Sequence, residues 1–403
     1  MLRAAGGAVT SRRHRLPAAL DNAIERLKWA RTPWTADPAT LPPVVSRRTG
    51  RPARVLVAPA NFAGQGHAWV EALERAGVPA VSWAFTADDR FGFGADHVLR
   101  LADAHRASRA YQRRVFDLVA SNVEAVVIEA GRPLFGRLHG FDPVAEARAL
   151  AERGVRVALL WHGTDVRVPS AHAATHPASP FSPPTARTRA LESVALRNRR
   201  RARGFTGPVL VSTPDLLPGW PGARWCPVVV DAARWACDDP PLVRAVPVVV
   251  HAPSNGGLKG TDLVTAALEP LAAAAVVEYR VVSGVPSDEV RALYRDADVV
   301  LDQFRLGIYG VAACEAMAAG RLVVSNVDAQ VRDAVRAAAG VDLPVLEASG
   351  ADLAAVLRGV LDDRDRARAL AGSGPALVAA LHDGRRSAAV LADALGLGLE
   401  PID

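Results

Sequence analysis

From Arg54 onward the chain alternates short, almost unbroken apolar runs with longer segments in which apolar residues recur every three or four positions. The runs 54–59, 80–84, 125–129 and 156–161 predict strands, and the segments 68–76, 102–121 and 143–153 between them predict helices. The strand-like runs lack polar alternation, so both of their faces are expected to be buried, as in a parallel sheet with helices on either side. Residues 208–213 supply a further strand. Residues 169–186 are rich in Pro, Ser, Thr and Ala and predict a long surface loop.

The pattern restarts after residues 231–245, where an Asp-Asp-Pro-Pro run marks a linker. Strands are expected at 246–250, 278–282, 298–301 and 322–324, with helices at 261–271, 288–295 and 309–319, and helices again across 350–395. The expected fold is therefore α/β, with two Rossmann-like doubly wound domains facing a cleft and an N-terminal helical extension. The divisions are a basic extension at 1–50, a first domain at 51–232, a second at 233–375 and a C-terminal helix at 376–403. In the extension, Leu16, Leu20, Ile24 and Leu27 fall at helical spacing before Trp29 and Trp34. This amphipathic helix either packs on the first domain or makes peripheral membrane contact through residues 15–34, with Arg26, Lys28 and Arg31 at lipid phosphates.

Half of the 403 residues are apolar, enough for two domains with their own cores. Apolar stretches such as Leu271–Val277 are far too short to span a bilayer, and residues 1–15 carry no signal-peptide core, so a cytoplasmic protein is expected. Cys226, Cys237 and Cys314 form neither a disulfide framework nor a metal-ligand pattern. The net charge of +6 suggests nucleic acid until it is located. Residues 1–54 hold eleven Lys/Arg against three Asp/Glu, which leaves −2 on the rest and disfavours a nucleic-acid partner. A local cluster, Arg197, Arg199, Arg200, Arg201 and Arg203, reads as a solvated helix face or an anion patch. Only Lys28 and Lys259 are lysines among 48 basic residues. Where arginine is the default cation, a lysine marks a position that favours a compact ammonium.

Four segments carry candidate chemistry. Asn61 to His67, with Gly64, Gln65 and Gly66, joins a strand to a helix, and its glycines let a ligand approach backbone amides. Trp161-His162-Gly163-Thr164-Asp165-Val166-Arg167 ends a parallel strand, where ligands of open α/β sheets bind. Ser254 to Asp262 joins Gly256, Gly257 and Lys259 to a helix start, a combination suited to a diphosphate although it lacks the spacing of a Walker loop. Gly307 to Gly320 places a tight loop before a helix that carries Glu315 among Cys314, Ala316 and Met317. An acid in that company needs a partner, and ribose hydroxyls supply one.

The last two segments, with Ser283-Gly284-Val285-Pro286, the stretch from Leu293-Tyr294 to Asp298, and Glu315-Ala316-Met317-Ala318-Ala319-Gly320, resemble the donor domain of GT-B glycosyltransferases. The likeness is in particular to the family 4-like retaining enzymes common in actinobacteria, and it covers most of residues 54–395. It implies transfer of a sugar from a UDP- or GDP-sugar to an acceptor hydroxyl with retention, without a bound cofactor or metal. The acceptor class would be a carbohydrate, a lipid-linked molecule or a small molecule. Lys259 would meet the diphosphate, the backbone of Tyr309, Gly310 and Val311 would meet the phosphates or the sugar, and Gly257 is a further donor-site candidate. Glu315 would bind ribose, Val285 would lie near the base, His162 would face the sugar, and Gly64 to Gly66 would border the acceptor. The last helix would cross back to the first domain. His162, Asp165 and Lys259 are the candidate catalytic residues. Two positions depart from the family: Gly307 stands where the first of two paired acids belongs, and no arginine accompanies Lys259 near Ser254. Arg305 and Asp302 are the nearby candidates to replace the missing charges. These departures keep open the alternative of a catalytically inactive nucleotide-sugar-binding protein. A nucleotide-sugar epimerase is disfavoured, because no cluster of acid/base carboxylates is evident.

Overall fold

The computed structural model describes residues 39–86 and 92–399, with a few isolated positions before residue 39. The amphipathic segment 15–34 lies, but for such isolated positions, outside the described residues. The apolar runs form two parallel sheets. The first contains β1 (Val55–Ala58), β2 (Ala80–Thr86), β3 (His97–Arg100), β4 (Ala125–Glu129), β5 (Arg156–Trp161), β6 (Val209–Val211) and β7 (Arg224–Trp225), in the order β3-β2-β1-β4-β5-β6-β7. The second contains β8 (Val248–His251), β9 (Glu278–Val281), β10 (Val299–Leu301), β11 (Leu322–Ser325) and β12 (Val345–Glu347), in the order β12-β11-β10-β8-β9. These are two doubly wound, Rossmann-like domains.

Side chains alternate across each sheet, and both faces are covered. Leu56 and Ala58 of β1 pack with Trp83, Ile128 and Trp161. Val55 and Val57 face the other way, into a cluster with Trp69, Val127 and Leu391. In the second domain Val248, Val250 and Val300 pack with Ala313 and Met317, while Val249, Leu301 and Val324 pack with Leu268 and Leu353. Each such buried aliphatic side chain stabilises the fold by about 1.5–3 kcal/mol, which is why the strands read as continuous apolar runs.

Strand order reverses between β1 and β4 in the first sheet and between β8 and β10 in the second. Loops leaving the carboxyl ends of such neighbouring strands diverge and open a crevice. In the first domain those loops start at Pro59 and Ala130, and in the second at Ala252 and Asp302.

The last described helix packs on the first domain. In the helix Arg385–Ala394, Ala388, Leu391 and Ala392 join the cluster of Val55 and Trp69, and Arg156 donates to the carbonyl of Gly396. The crossover passes through His382, whose Nδ1–H donates to the carbonyl of Val228 (2.8 Å) and whose Nε2 accepts from the Tyr309 hydroxyl (3.1 Å). Burial pushes its pKa down to about 4, which keeps the ring in the neutral form that this one-donor, one-acceptor arrangement requires.

Three local readings of the sequence change. The helix expected at 102–121 is two, Leu101–Arg106 and Arg109–Asn122, because the Ser108 side chain accepts from Tyr111 N and caps a new start. The short strands β3, β7 and β12 carry too few apolar residues to stand out. The expected surface loop 169–186 instead contains the helix Pro169–Thr175 and covers the second domain. There His176 Nε2 lies 2.8 Å from Asp328 Oδ2, and Arg305 Nη1 donates to the carbonyl of Ala178 (3.4 Å). Among the described residues no helix is long and apolar enough to cross a membrane.

Candidate functional site

The crevice between the domains holds a cavity of about 210 Å³. Lys259, Val285, Gly310, Val311 and Glu315 line it from the second domain, and Ala63 and Phe93 close it from the first. Five residues expected at the donor site therefore converge although 56 positions of sequence separate the first from the last. The strand-order reversal brings them together, since Lys259 follows β8 and Gly310 follows β10.

Lys259 ends the short helix Gly256–Lys259, which Asn255 caps by accepting from Leu258 N. Gly260 follows in the left-handed region (φ 79°), so the chain turns sharply into the helix Thr261–Ala273. A neutral, buried His251 holds this turn: its Nδ1–H donates to the carbonyl of Leu301 and its Nε2 accepts from the Thr261 hydroxyl, each at 2.9 Å. Burial pushes the His251 pKa down to about 4, the state this pattern demands. The Lys259 ammonium meets Asp302 Oδ1 at 2.6 Å, and Asp302 Oδ2 accepts from Gly310 N at 3.1 Å. One buried carboxylate thus ties the lysine to the amide that precedes the helix Val311–Ala318.

Glu315 lies on that helix with its side chain on the cavity wall. Among the described residues its carboxyl group has no hydrogen-bond partner. Burial pushes its pKa up to about 8, with Lys259 and Arg234 acting in the opposite sense and Asp302 adding to the rise. A half-buried acid on a cavity wall, with no hydrogen-bond partner among the described residues, is suited to receive hydroxyl donors from a ligand.

Other expected donor residues sit elsewhere. Tyr309 is buried and its hydroxyl serves His382, and Gly257 lies beside Asn255 rather than on the cavity wall. Arg305 does not supply the missing phosphate-site charge, because its guanidinium pairs with Asp262 (2.5 Å) and Ala178 outside the cavity. Asp302 is committed to Lys259. Gly307 has φ 68°, and a β-carbon there would run into the Asp328 carboxylate. The space for a side chain at 307 is filled by Asp328, whose amide also donates to the Gly307 carbonyl. Gly307→Glu is accordingly expected to destabilise the fold, by about 1–3 kcal/mol from the backbone alone and by more from the clash. Chemical denaturation measures this, and removal of the Asp328 side chain in the same chain should recover the steric part.

Across the crevice, the residue that the sequence reading missed is Glu129. It is fully buried at the carboxyl end of β4, where Oε1 meets His162 Nε2 (3.1 Å) and Oε2 accepts from Ala60 N and Asn61 N (3.1 and 3.2 Å). The signal was an acid closing the otherwise apolar run Ala125–Ile128. The two backbone amides take Oε2, so Oε1 is the oxygen left to orient the His162 ring through Nε2. Gly66 is needed because a β-carbon there would press on Glu129 Oε2 (2.9 Å).

Asp165 holds the strand-end turn, accepting from His162 N and Gly163 N, so it acts on His162 through the backbone. Gln65 departs from the acceptor-side expectation. It is buried and bridges to Val229, donating to its carbonyl (3.1 Å) and accepting from its amide (2.7 Å), so it braces the interdomain segment instead. Gly64 packs against Phe93 beside the cavity. The arginine cluster is partly absorbed into the fold: Arg199 lies over Trp220 and donates to Val166 and Gly219 carbonyls, and Arg201 donates to the Phe141 carbonyl.

Neither a protein-family model nor a curated protein matches the chain. Solved structures do. Sucrose-phosphate synthase from Thermosynechococcus elongatus superposes with a TM-score of 0.55 at 15% identity, covering 84% of this chain and 97% of that one. HepE from Anabaena, solved with UDP, gives 0.55 at 12% identity over 85% and 100% of the two chains. A glycosyltransferase from Rickettsia africae gives 0.53 at 10% identity over 84% and 97%. Likeness at such identities shows the fold alone, and with the two parallel sheets described above it establishes that this chain has the GT-B fold.

Proposed function

We propose that the protein is a retaining, family 4-like glycosyltransferase that moves a sugar from a UDP- or GDP-sugar to an acceptor hydroxyl. The observation that carries this reading is the convergence of an ammonium, the Gly310 amide and the unpartnered Glu315 around one interdomain cavity. Structures of Anabaena HepE with UDP and with UDP-glucose support it by fold analogy. The diphosphate is placed at Lys259 and at the start of the helix Val311–Ala318, where backbone amides and the positive helix end favour negative charge. Glu315 accepts from the ribose hydroxyls, and Val285 borders the base.

The sugar then faces His162, whose ring Glu129 orients. As negative charge develops on the departing diphosphate, Lys259 and the helix start stabilise it, and this is the main catalytic effect. The acceptor hydroxyl loses its proton to the β-phosphate on the face from which the leaving group departs. No bound cofactor takes part in this scheme. In Glu129→Gln the amide oxygen can still accept from Ala60 N and Asn61 N, but the NH₂ then faces His162 Nε2 and obliges that nitrogen to accept, so donor turnover is expected to fall by about 100-fold with little change in nucleotide affinity. Steady-state kinetics beside calorimetry checks this, and an unchanged turnover would remove Glu129 and His162 from the chemistry.

The experiment for the whole reading is incubation with UDP-, GDP- and ADP-sugars, following slow release of the nucleoside diphosphate without acceptor. Release from one donor, lost in Lys259→Ala, identifies nucleotide and sugar together. A second reading, a nucleotide-sugar-binding protein without transfer, is favoured by the filled space at Gly307 and by the engagement of Arg305 with Asp262. Binding without release from any donor, with or without a panel of acceptors, would select it.

A further inference from the structure

Beside His162 the first domain holds a second cavity, of about 380 Å³, within the range of small-molecule sites. Its apolar wall includes Phe62, Leu101, Phe141, Leu191 and Val194. Its floor is the turn after β4, where Ala130 and Gly131 both take positive φ (55° and 58°) and aim the next residue, Arg132, at the space. The Arg132 guanidinium lies over the Phe62 ring at 4.7 Å. Among the described residues it has neither an ion pair nor a hydrogen bond, although it has five N–H donors to satisfy. Burial lowers its pKa, while the charges of Glu129 and Asp165 oppose that shift. Those two carboxylates do not occupy it, since Glu129 is filled by His162 and two amides, and Asp165 by the amides of His162 and Gly163. Arg197 and Arg201 also line the cavity, so its cations outnumber its one lining acid, Asp165.

A half-buried, planar guanidinium beneath an apolar wall, with no ion pair or hydrogen bond among the described residues, recognises a carboxylate or phosphate in the bidentate manner that a lysine could not. We propose that this cavity is an acceptor subsite for an apolar or aromatic molecule that bears one carboxylate or phosphate, with the anion on Arg132. The proposal rests on the glycosyltransferase reading for the word acceptor, and on the cavity alone for the chemistry of the ligand. Phe62 belongs to the same turn as Ala63 on the donor cavity wall, and its ring packs edge-on against His162 (5.1 Å), so the two cavities are neighbours across this turn.

The test uses the full chain with benzoate, phenyl phosphate and neutral benzyl alcohol, their binding followed by ligand-observed NMR at up to ~10 mM. At least one anion is expected to bind about tenfold or more tightly than the alcohol, as a charge-assisted bidentate contact should. Whichever anion binds more tightly distinguishes carboxylate from phosphate. Arg132→Gln should abolish the preference, and Leu191→Trp, which fills the cavity from its apolar side, should weaken all three probes. Equal binding of alcohol and anions, no binding of any probe, or a preference that survives Arg132→Gln would overturn the proposal. UDP titration of the same proteins separates the two claims. UDP binding without anion preference would reject the subsite and leave the donor reading intact. Anion preference without UDP binding would keep an anion pocket and reject its role as acceptor site.

Discussion

Lys259→Ala is expected to lower affinity for the nucleoside diphosphate by about 10- to 100-fold, the worth of a charge-assisted hydrogen bond. It should also destabilise the second domain by about 3–5 kcal/mol, because Asp302, fully buried, is left as an unpaired charge. The two effects have different causes and can be separated. In Lys259→Ala/Asp302→Asn the amide oxygen can still accept from Gly310 N, and no buried charge remains, so most of the stability should return. The affinity should not, since the cation facing the phosphates is still absent. Calorimetry with UDP and GDP, run beside urea denaturation, checks both halves. Recovery of affinity together with stability would mean that Lys259 supports the loop and does not touch the ligand.

Nucleotide affinity should rise with pH up to about 8 and then level, and Glu315 is the cause. In the free protein its pKa is pushed up to about 8 by burial. In the proposed complex, ribose hydroxyls would donate to the carboxylate and so favour its charged form, which would lower its pKa. The complex therefore holds fewer protons than the free protein below that pH, and binding releases one. Linkage then predicts close to a tenfold gain in affinity per pH unit until the free-state pKa is reached. The same shift acts on stability. A carboxyl raised from 4.5 towards 8 on folding favours the fold fully below its unfolded value, and that contribution is lost as pH rises through about 8. The nucleotide offsets this loss, so its stabilising effect on Tm should be larger at about pH 8.5 than at about pH 7, both above the secondary phosphate ionisation near 6. Glu315→Gln should flatten both profiles. A pH slope unchanged in that variant would place the ribose elsewhere.

Much of the architecture was legible before any coordinates. The runs 54–59, 125–129, 156–161 and 298–301 need only the rule that strands buried on both faces lack polar alternation, and all four are strands. Lys259 and Glu315 were marked by residue type and local sequence, Val285 by the family resemblance alone, and the three share one cavity. Glu129 was passed over because a single acid at the end of an apolar run has no spacing to announce it. Its importance comes from strand order, which sets β4 beside both β1 and β5 and so brings it to Asn61 and His162. Gln65 and Arg305 were misplaced for a related reason: a polar residue in a functional loop can turn to the ligand or to its own fold, and only packing selects between them.

The periodicity by itself determined two parallel α/β domains, and the glycine-rich loops marked the segments proposed to meet a diphosphate, because both follow from interactions within one strand, helix or turn. Whether Arg132 is paired, which residue fills the space at Gly307, and where the segment 169–186 docks were decided only in three dimensions. Each depends on contacts between residues distant in sequence, whose partners are chosen by sheet order and by the meeting of two domains, and no local pattern records that choice.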